Sequence, residues 1–310
     1  MRKFKQIALI APTASGKTDL AIEYAKKNNA NILSLDSLAI YKEMDIVSAK
    51  PTLKERDGIK HFGIDEIYPD KHFDVTTFIK LYKKAKEESI KEGKLLIIVG
   101  GTSFYLKSLI DGISPMPKIS KSTYQKTTNL CSNLKKAYNF LYLKDKEYMQ
   151  NIKPTDYYRV EKMLNLFFET GLIPTKYFKL NPPKPTITEP LNIYEIAIER
   201  DILRERIKKR TQKMLEEGLI DEITYLEKKY TKAPNSMKAI GVKEVLDYFD
   251  GIYSKIELEE KIVINTARLA KRQRTFNSSQ FPNRISMGLE ELKKKLLFKN
   301  NNIIATCCYN

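Results

Sequence analysis

Residues 9–20 read LIAPTASGKTDL, and this stretch decides the fold. The apolar run 7–11 predicts a buried strand, and the spacing of apolar residues after the loop predicts a helix. Between them lies a loop of small residues that ends in Gly16, Lys17 and Thr18. Backbone N–H groups of such a loop surround a phosphate, and the helix N-terminus adds positive charge. In this pattern the lysine reaches the outer phosphate and the threonine hydroxyl holds Mg²⁺.

One position departs from the strict loop pattern, which asks for glycine where this chain has Ala11. We expect alanine to be tolerated there if its φ is negative, as it is at the end of a strand. A chance Gly-Lys-Thr turn is the alternative interpretation. The position of the loop, at a predicted strand-to-helix junction, favours phosphate binding.

Composition narrows the class of protein. The chain has 310 residues, 42% of them apolar, which allows one large domain or two modest ones. The net charge of +17 favours a polyanionic partner, nucleic acid first, although a Lys-rich proteome would give the same excess. Cys131, Cys307 and Cys308 form no metal or disulfide framework. No apolar run has the length of a membrane span and no signal peptide is recognisable, so we expect a cytoplasmic protein.

Two further apolar runs, 31–35 and 95–99, are typical of buried parallel strands. Asp36 follows the first run, and the turn 100–102 (GGT) follows the second. In an open α/β sheet, ligands bind at the carboxyl ends of strands, so the three turns predict one crevice. Asp36 could hold Mg²⁺ through water, act as a general base or cap the next segment. The turn offers the Thr102 hydroxyl, although paired glycines are equally typical of a tight strand-to-helix turn.

Residues 118–188 predict a helical insertion. It interrupts an α/β core with a P-loop NTPase-like parallel sheet, formed by residues 1–117 and 189–298. The insertion carries an amphipathic helix from about Asp156 to Thr170. A run at 191–198 alternates like a strand that returns to the sheet, and the rest is predicted to be helical.

Local signals also mark helix starts. Asp74 and Asp201 are predicted N-caps, and Ser254 with Glu257 predicts a capping box. The Asn-rich tail 299–310 is typical of a disordered segment.

Cations lie beside aromatic residues on the predicted insertion helix. Arg159 and Lys162 lie off its apolar stripe and follow Tyr157 and Tyr158. Such a surface suits an RNA loop whose bases are splayed out and stack. From the pattern alone, a solvated helix face is the favoured interpretation. The same holds for the basic residues of the last long helix, which are Arg268, Lys271, Arg272 and Arg274.

Several motifs together resemble the tRNA dimethylallyltransferase family, over about residues 7–276. They are PTASGKT at 12–18, DS at 36–37, IYKEMDI at 40–46, AKPT at 49–52, GGTSFY at 100–105, AIGVKE at 239–244 and AKRQ at 270–273. The loop alone would be weak evidence, whereas the string over 36–52 at this spacing is highly specific.

The resemblance implies an activity. The family transfers a dimethylallyl group from dimethylallyl diphosphate to the N6 amine of the adenosine 3′-adjacent to the anticodon. It acts on tRNAs that read codons starting with U, and it releases diphosphate. The resemblance further implies Mg²⁺ as cofactor, the tRNA anticodon stem-loop as partner and a flipped adenine base. We expect a monomer without membrane association.

The resemblance also implies a role for each matching position. Asp36 would be the general base, Thr102 would lie near the same amine, and Thr18 would bind Mg²⁺. The expected diphosphate contacts are Ala11, Pro12, Thr13, Ala14, Ser15, Gly16, Lys17, Thr18 and Lys243. The expected tRNA contacts are Asp36, Ser37, Leu38, Ala39, Thr102, Tyr124, Tyr158, Arg159, Val160, Glu161 and Lys162.

Two departures from the family pattern concern the tRNA contacts, since Tyr158 and Lys162 stand where the family often has Gln and Arg.

Three alternative functions stay open. A small-molecule kinase would use the loop to bind ATP, but this function does not explain the net charge of +17. Prenyl transfer to free adenine nucleotides needs no basic insertion. A tRNA-binding module without catalysis would not need Lys17, Thr18, Asp36 and Thr102 together.

Overall fold

The computed structural model describes residues 4–298. They form two compact units. The core unit consists of residues 4–107 and 187–298, and the insertion unit of Ser108–Thr186. The tail 299–310, with Cys307 and Cys308, lies outside the described residues.

The sheet of the core unit has six strands, all parallel. They are β1 Gln6–Ile10, β2 Ala30–Leu35, β3 His61–Phe62, β4 Leu95–Gly100, β5 Asn192–Ala197 and β6 Ile285–Gly288. Their spatial order is β3-β2-β4-β1-β5-β6. The four predicted strands are confirmed, as is the α/β class with its parallel sheet, because long runs of Ile, Leu and Val suit strands buried on both faces.

Two short strands were missed. The prediction that everything after residue 198 is helical is wrong at Ile285–Gly288. This segment is too short to show a clear alternation, and it becomes a strand by pairing with β5, where Ile285 lies opposite Tyr194. β3 joins β2 in the same way.

The helices account for most of the remaining chain. In order they are α1 Lys17–Asn28, α2 Leu53–Arg56, α3 Val75–Lys91, α4 Ser103–Asp111, α5 Lys121–Cys131, α6 Leu134–Tyr142, α7 Lys146–Met149, α8 Tyr157–Thr170, α9 Pro174–Leu180, α10 Arg200–Glu216, α11 Leu219–Tyr230, α12 Val242–Phe249, α13 Lys255–Gln280 and α14 Leu289–Phe298. A 3₁₀ turn, Asn235–Lys238, precedes α12.

Two predicted helix starts are confirmed and one is wrong. Asp74 accepts a hydrogen bond from the Thr77 N–H, and Ser254 forms its capping box with Glu257. Asp201 does not cap α10, which begins at Arg200 and has Glu199 in the N-cap position. The helix starts earlier than predicted, so Asp201 lies in the first turn, where its charge still favours the helix dipole.

Each unit has its own apolar core. In the core unit, Leu9, Ile32, Ile97 and Tyr194 of the central strands pack with apolar residues of α1 and α14. In the insertion unit, the predicted stripe of α8 is buried against α5, α6 and α7. That cluster includes Cys131, Ala137, Leu141, Met149, Val160, Met163 and Leu164.

Candidate active site

The carboxyl ends of three central strands lie level with one another. Gly100 at the end of β4 pairs in register with both Ile10 of β1 and Leu35 of β2. The turns that follow these strands are therefore neighbours, as expected for a parallel sheet. They line one cavity of about 390 Å³ in the core unit, which side chains of α10 and α13 also line. The predicted residues in its lining are Thr13, Lys17, Thr18, Asp36, Ser37, Leu38, Ala39 and Thr102.

The phosphate-binding loop has an ordinary backbone at Ala11. This residue is fully buried, has no positive φ and donates its N–H to the Gly100 carbonyl at 3.3 Å. The backbone condition under which alanine was expected to be tolerated is therefore met. Left-handed φ values occur instead at Ala14 (61°) and Gly16 (88°), and α1 begins directly after Gly16. The first N–H groups of a helix lack partners within it, so the loop ends in an anion-binding position.

One loop N–H is already occupied. Gln273 of α13 accepts the Thr13 N–H on its Oε1 at 3.1 Å. The sequence predicted this N–H among the diphosphate contacts, whereas in the structure it holds the loop to α13.

Lys17 and Arg210 form the positive end of the cavity. The pKa of Lys17 is lowered from 10.5 to about 8, mainly by burial and to a smaller extent by the charge of Arg210, while the charge of Asp36 opposes the shift. Burial likewise lowers the pKa of Arg210, again against Asp36. The Lys17 ammonium donates to the Pro12 carbonyl at 3.3 Å. Two neighbouring cations that are partly shielded from water are stabilised by an anion that neutralises both, so this end of the cavity suits a diphosphate.

Asp36 both holds a turn and faces the cavity. Its Oδ1 accepts the N–H groups of Leu38 (2.7 Å) and Ala39 (3.1 Å), which is how an aspartate stabilises the turn after a strand. The same side chain lines the cavity. The capping and catalytic interpretations are therefore compatible, because the turn fixes the orientation of a carboxylate that can accept a proton from a bound group.

The turn that carries Thr102 is packed tightly against β2. The Thr102 N–H donates to the Leu35 carbonyl at 3.0 Å. A Cβ on Gly100 would lie 2.2 Å from the Leu35 oxygen, so only glycine fits at that position. The close packing brings Thr102 to the cavity that Asp36 lines.

A half-buried carboxylate holds one wall of the cavity. Glu222 of α11 accepts three consecutive backbone N–H groups, those of Asp45, Ile46 and Val47, at 2.7–2.9 Å. Burial raises the pKa of Glu222, and the three N–H groups oppose the shift. The segment that Glu222 holds continues into lining residues Val47, Ser48 and Ala49. Its shape therefore depends on a side chain far away in the sequence.

A buried lysine holds the same wall from the other side. The Lys50 side chain is only 4% exposed and pairs with Asp45 and Asp65 at 2.6 and 2.5 Å. Its ammonium also donates to the Tyr41 carbonyl at 2.9 Å. Arg56 pairs with the second oxygen of Asp65 at 2.8 Å. These bonds hold residues 41–50 in place through side chains that do not belong to the strands.

The donor set of the cavity fits Mg²⁺ only together with a phosphate ligand. Residues 4–298 contain no cluster of three or more His, Cys, Asp or Glu side chains suited to a metal ion. The cavity offers the Thr18 hydroxyl and the Asp36 carboxylate. Mg²⁺ is usually held by one or two protein oxygens, substrate phosphates and water, so these two protein donors are enough for a Mg²⁺ ion that also binds a phosphate.

Lys243 was predicted to contact the diphosphate, but it is not among the residues that line the cavity. Its ammonium pairs with Asp247 one turn further along α12, and its side chain is 61% exposed. Sequence similarity around residue 243 does not reveal where the Lys243 side chain points, because its direction depends on how α12 packs.

The other predicted tRNA contacts lie on α5 and α8 of the insertion unit. Tyr124 and Tyr158 are mostly exposed, and the Lys162 ammonium lies 5.2 Å from the ring centre of Tyr158. Arg159 is exposed and pairs with Asp156.

Two residues of this stretch of α8 have other surroundings. Val160 is fully buried in the core of the insertion unit, so the predicted contact of its side chain with tRNA is corrected. Glu161 accepts a hydrogen bond from the Tyr157 hydroxyl at 3.5 Å.

Sequence reasoning missed Arg206, Arg210 and Glu222, and it assigned no role to Gln273. Arg206 donates to the Ser15 carbonyl at 3.3 Å. The two arginines lie four residues apart on α10, which places them on one face. This spacing was visible, but in a chain with 55 Lys and Arg it has little value as a signal.

Comparisons with known proteins point to one family. The sequence model described as IPP transferase matches residues 39–280. A tRNA dimethylallyltransferase of a Sulfurovum species is 59% identical, over 94% of this chain and 97% of its own length. The solved tRNA delta(2)-isopentenylpyrophosphate transferase of Staphylococcus epidermidis is 32% identical, with a TM-score of 0.67 over 95% of this chain and 96% of its own.

A eukaryotic dimethylallyltransferase acting on tRNA shares the fold. Its structure superposes with a TM-score of 0.80 at 24% identity, over 94% of this chain and 76% of its own. No helix within residues 4–298 is both long and apolar enough to cross a membrane.

Proposed function

The chain belongs to the IPP transferase family, and on that premise we propose that it is a tRNA dimethylallyltransferase. The donor is dimethylallyl diphosphate, and the acceptor is the N6 amine of the adenosine 3′-adjacent to the anticodon, in tRNAs that read codons starting with U. One observation carries the proposal. Two half-buried cations, a fixed carboxylate and a threonine line the same cavity, at the level ends of three parallel strands.

The phosphate-binding loop serves the donor end of the reaction. Lys17, Arg210 and the N–H groups at the start of α1 bind the diphosphate. Thr18 would hold Mg²⁺, and the ion would supply further positive charge at this end of the cavity. As the bond between the prenyl C1 and its oxygen breaks, negative charge grows on the diphosphate. Cations placed before the reaction stabilise this charge without reorganisation.

Asp36 serves the acceptor end. The adenine N6 attacks the prenyl C1, a new N–C bond forms, and diphosphate leaves. One N6 proton passes to the Asp36 carboxylate, so atoms and charge balance. Thr102 orients the amine from the opposite turn. An adenine stacked inside the anticodon loop cannot reach a cavity of this kind, so the base is flipped out first.

The tRNA itself needs a larger surface. Tyr124, Tyr158, Arg159 and Lys162 of the insertion unit offer exposed rings and cations for the anticodon arm. In the core unit, α13 carries a second basic surface, on which Arg268, Lys271, Arg272 and Phe276 line a shallow depression. Base stacking together with phosphate contacts is the usual mode of binding for unpaired RNA. A monomer acting in the cytoplasm, where tRNA is found, suits such a substrate.

The test is transfer of a labelled prenyl group. The protein is incubated with unmodified tRNA, labelled dimethylallyl diphosphate and Mg²⁺, and the tRNA is digested to nucleosides. We expect the label in N6-prenylated adenosine, and none in a matched tRNA whose target adenosine is replaced by guanosine. When free adenine nucleotides are added to the same mixture, label in them alone would indicate the free-nucleotide enzyme. Phosphate transfer from labelled ATP without prenyl transfer would indicate a kinase.

A further inference from the structure

We propose that Gln273 is a positioning residue that couples the phosphate-binding loop to the turn of Thr102. The proposal rests on the function above, because it concerns the alignment of donor and acceptor in that cavity. Gln273 belongs to α13, more than 150 residues after either partner. It lines the cavity together with Thr13, Gly101 and Thr102.

The two ends of the Gln273 amide meet different segments. Oε1 accepts the Thr13 N–H at 3.1 Å, and this bond fixes which end of the amide is oxygen. Nε2 therefore faces the turn after β4, where it lies 2.3 Å from the position that a Cβ on Gly101 would take. A single side chain thus fills the gap between the donor loop and the acceptor turn.

This arrangement explains why residue 101 is glycine. Gly101 has no positive φ, so its backbone would accept any residue. Besides the Gln273 amide, the nearest obstacle to a Cβ is the Ala11 oxygen at 3.4 Å, an ordinary contact. The side chain of Gln273 is thus the main obstacle to alanine at this position, and alanine there would push the amide away.

A displaced amide frees both segments. The Thr13 N–H loses its partner, which loosens the loop that carries Lys17, and the Thr102 turn loses its spacer. Small errors of alignment between reacting groups lower the rate of the chemical step more than they weaken binding. We therefore expect losses in kcat with little change in KM for the prenyl diphosphate.

The test is a double-mutant cycle. Gly101→Ala and Gln273→Ala each lower kcat about tenfold, with KM for the donor changed less than about twofold. In the Gln273→Ala background, Gly101→Ala lowers kcat by less than about twofold, because the side chain that the new methyl group would meet is absent. An equal loss in both backgrounds overturns the proposal, as does failure of Gly101→Ala to fold in both.

Two matched controls report on substitution alone. Gly288→Ala introduces a methyl group at another glycine with ordinary φ, where nothing lies within 4 Å. Gln280→Ala removes a glutamine at the end of the same helix. Both controls keep kcat within about twofold of the parent protein.

A second readout does not depend on prenyl transfer. Amide hydrogen exchange is followed in the peptide that covers residues 9–20. Gly101→Ala and Gln273→Ala each speed exchange at the Thr13 N–H, and the double variant is no faster than either single one. Unchanged exchange in Gly101→Ala overturns the coupling even if turnover falls. If the parent protein transfers no prenyl group, the proposed function fails while this exchange result still decides the coupling.

Discussion

The cavity of the core unit and the outer face of α8 in the insertion unit both present cations, but they hold them differently. In the cavity, burial brings the pKa of Lys17 down to about 8, and Arg210 is desolvated beside it. On α8 the Arg159 side chain is 65% exposed and pairs with Asp156, the N-cap residue of that helix. Lys17 and Arg210 are partly withdrawn from solvent, whereas the cations on α8 are exposed.

The difference follows from two tasks. Stabilising charge in a transition state requires groups that are already in place and free of water, since reorganisation during the reaction would cost rate. Binding an RNA backbone relies on the release of counterions by many exposed cations, each of which contributes little. Four variants test whether the two regions divide the work in this way.

The largest effect is expected from Asp36→Asn. An amide oxygen can still accept the N–H groups of Leu38 and Ala39, so the turn stays intact while the base is lost. We expect kcat to fall about a thousandfold, with tRNA affinity within about twofold. Turnover under saturating substrates and tRNA binding by filter retention measure the two quantities. Asp70→Asn, at an exposed pair with Lys71, is the control, and near-normal turnover in Asp36→Asn would remove the base assignment.

The next effect concerns Lys17 and pH. A lysine binds diphosphate as a cation, and its lowered pKa of about 8 means that the free protein loses this cation as pH rises through that value. We expect kcat/KM for the prenyl diphosphate to decline above about pH 8. Lys17→Met lowers kcat/KM about a hundredfold at neutral pH and abolishes this decline. A decline that persists in Lys17→Met would show that another group loses its proton there, and it would overturn the assignment to Lys17.

A smaller effect, on stability and on donor binding, is expected from Glu222→Gln. Glutamine has one acceptor oxygen and turns an NH₂ group towards the backbone N–H groups of residues 45–47, so at least one bond is lost. We expect unfolding to become easier by about 1–3 kcal/mol and KM for the donor to rise severalfold. Chemical denaturation and donor titration check both. Glu216→Gln on exposed α10 surface is the control, and an unchanged KM would show that the wall does not shape the donor site.

The smallest effect on catalysis is expected from neutralising Arg159 and Lys162 together with glutamine. Turnover at saturating tRNA stays within about twofold, while the slope of log affinity against log salt becomes shallower by about 1.5. Binding is measured over a salt series. Lys135 and Lys136, exposed on α6, serve as a charge-matched control pair. An unchanged slope would mean that this face of α8 does not contact tRNA.

Local patterns were sufficient for much of the site. The loop before α1, Asp36 and the Gly-Gly-Thr turn each follow an apolar run, and parallel strands of similar length necessarily end at one edge of the sheet. The positions of Thr13, Asp36 and Thr102 in one cavity therefore agree with the sequence prediction. Lys243 and Val160 show the limit, since their side-chain directions depend on packing rather than on motif.

The order of residues alone implied a phosphate-binding loop, a parallel sheet and a helical insertion, because apolar periodicity and turn chemistry are local properties. Which distant side chains complete the cavity is a different matter. Arg210 lines the cavity together with Lys17, and Glu222 and Gln273 accept N–H groups of loops that lie far away along the chain. No local pattern connects them, and they meet those loops only because the helices that carry them pack against the sheet. The stretch of residues 9–20 indicates that the site binds a phosphate. The packing of the helices decides which charged side chains line the cavity, what holds its wall and how its loops are aligned.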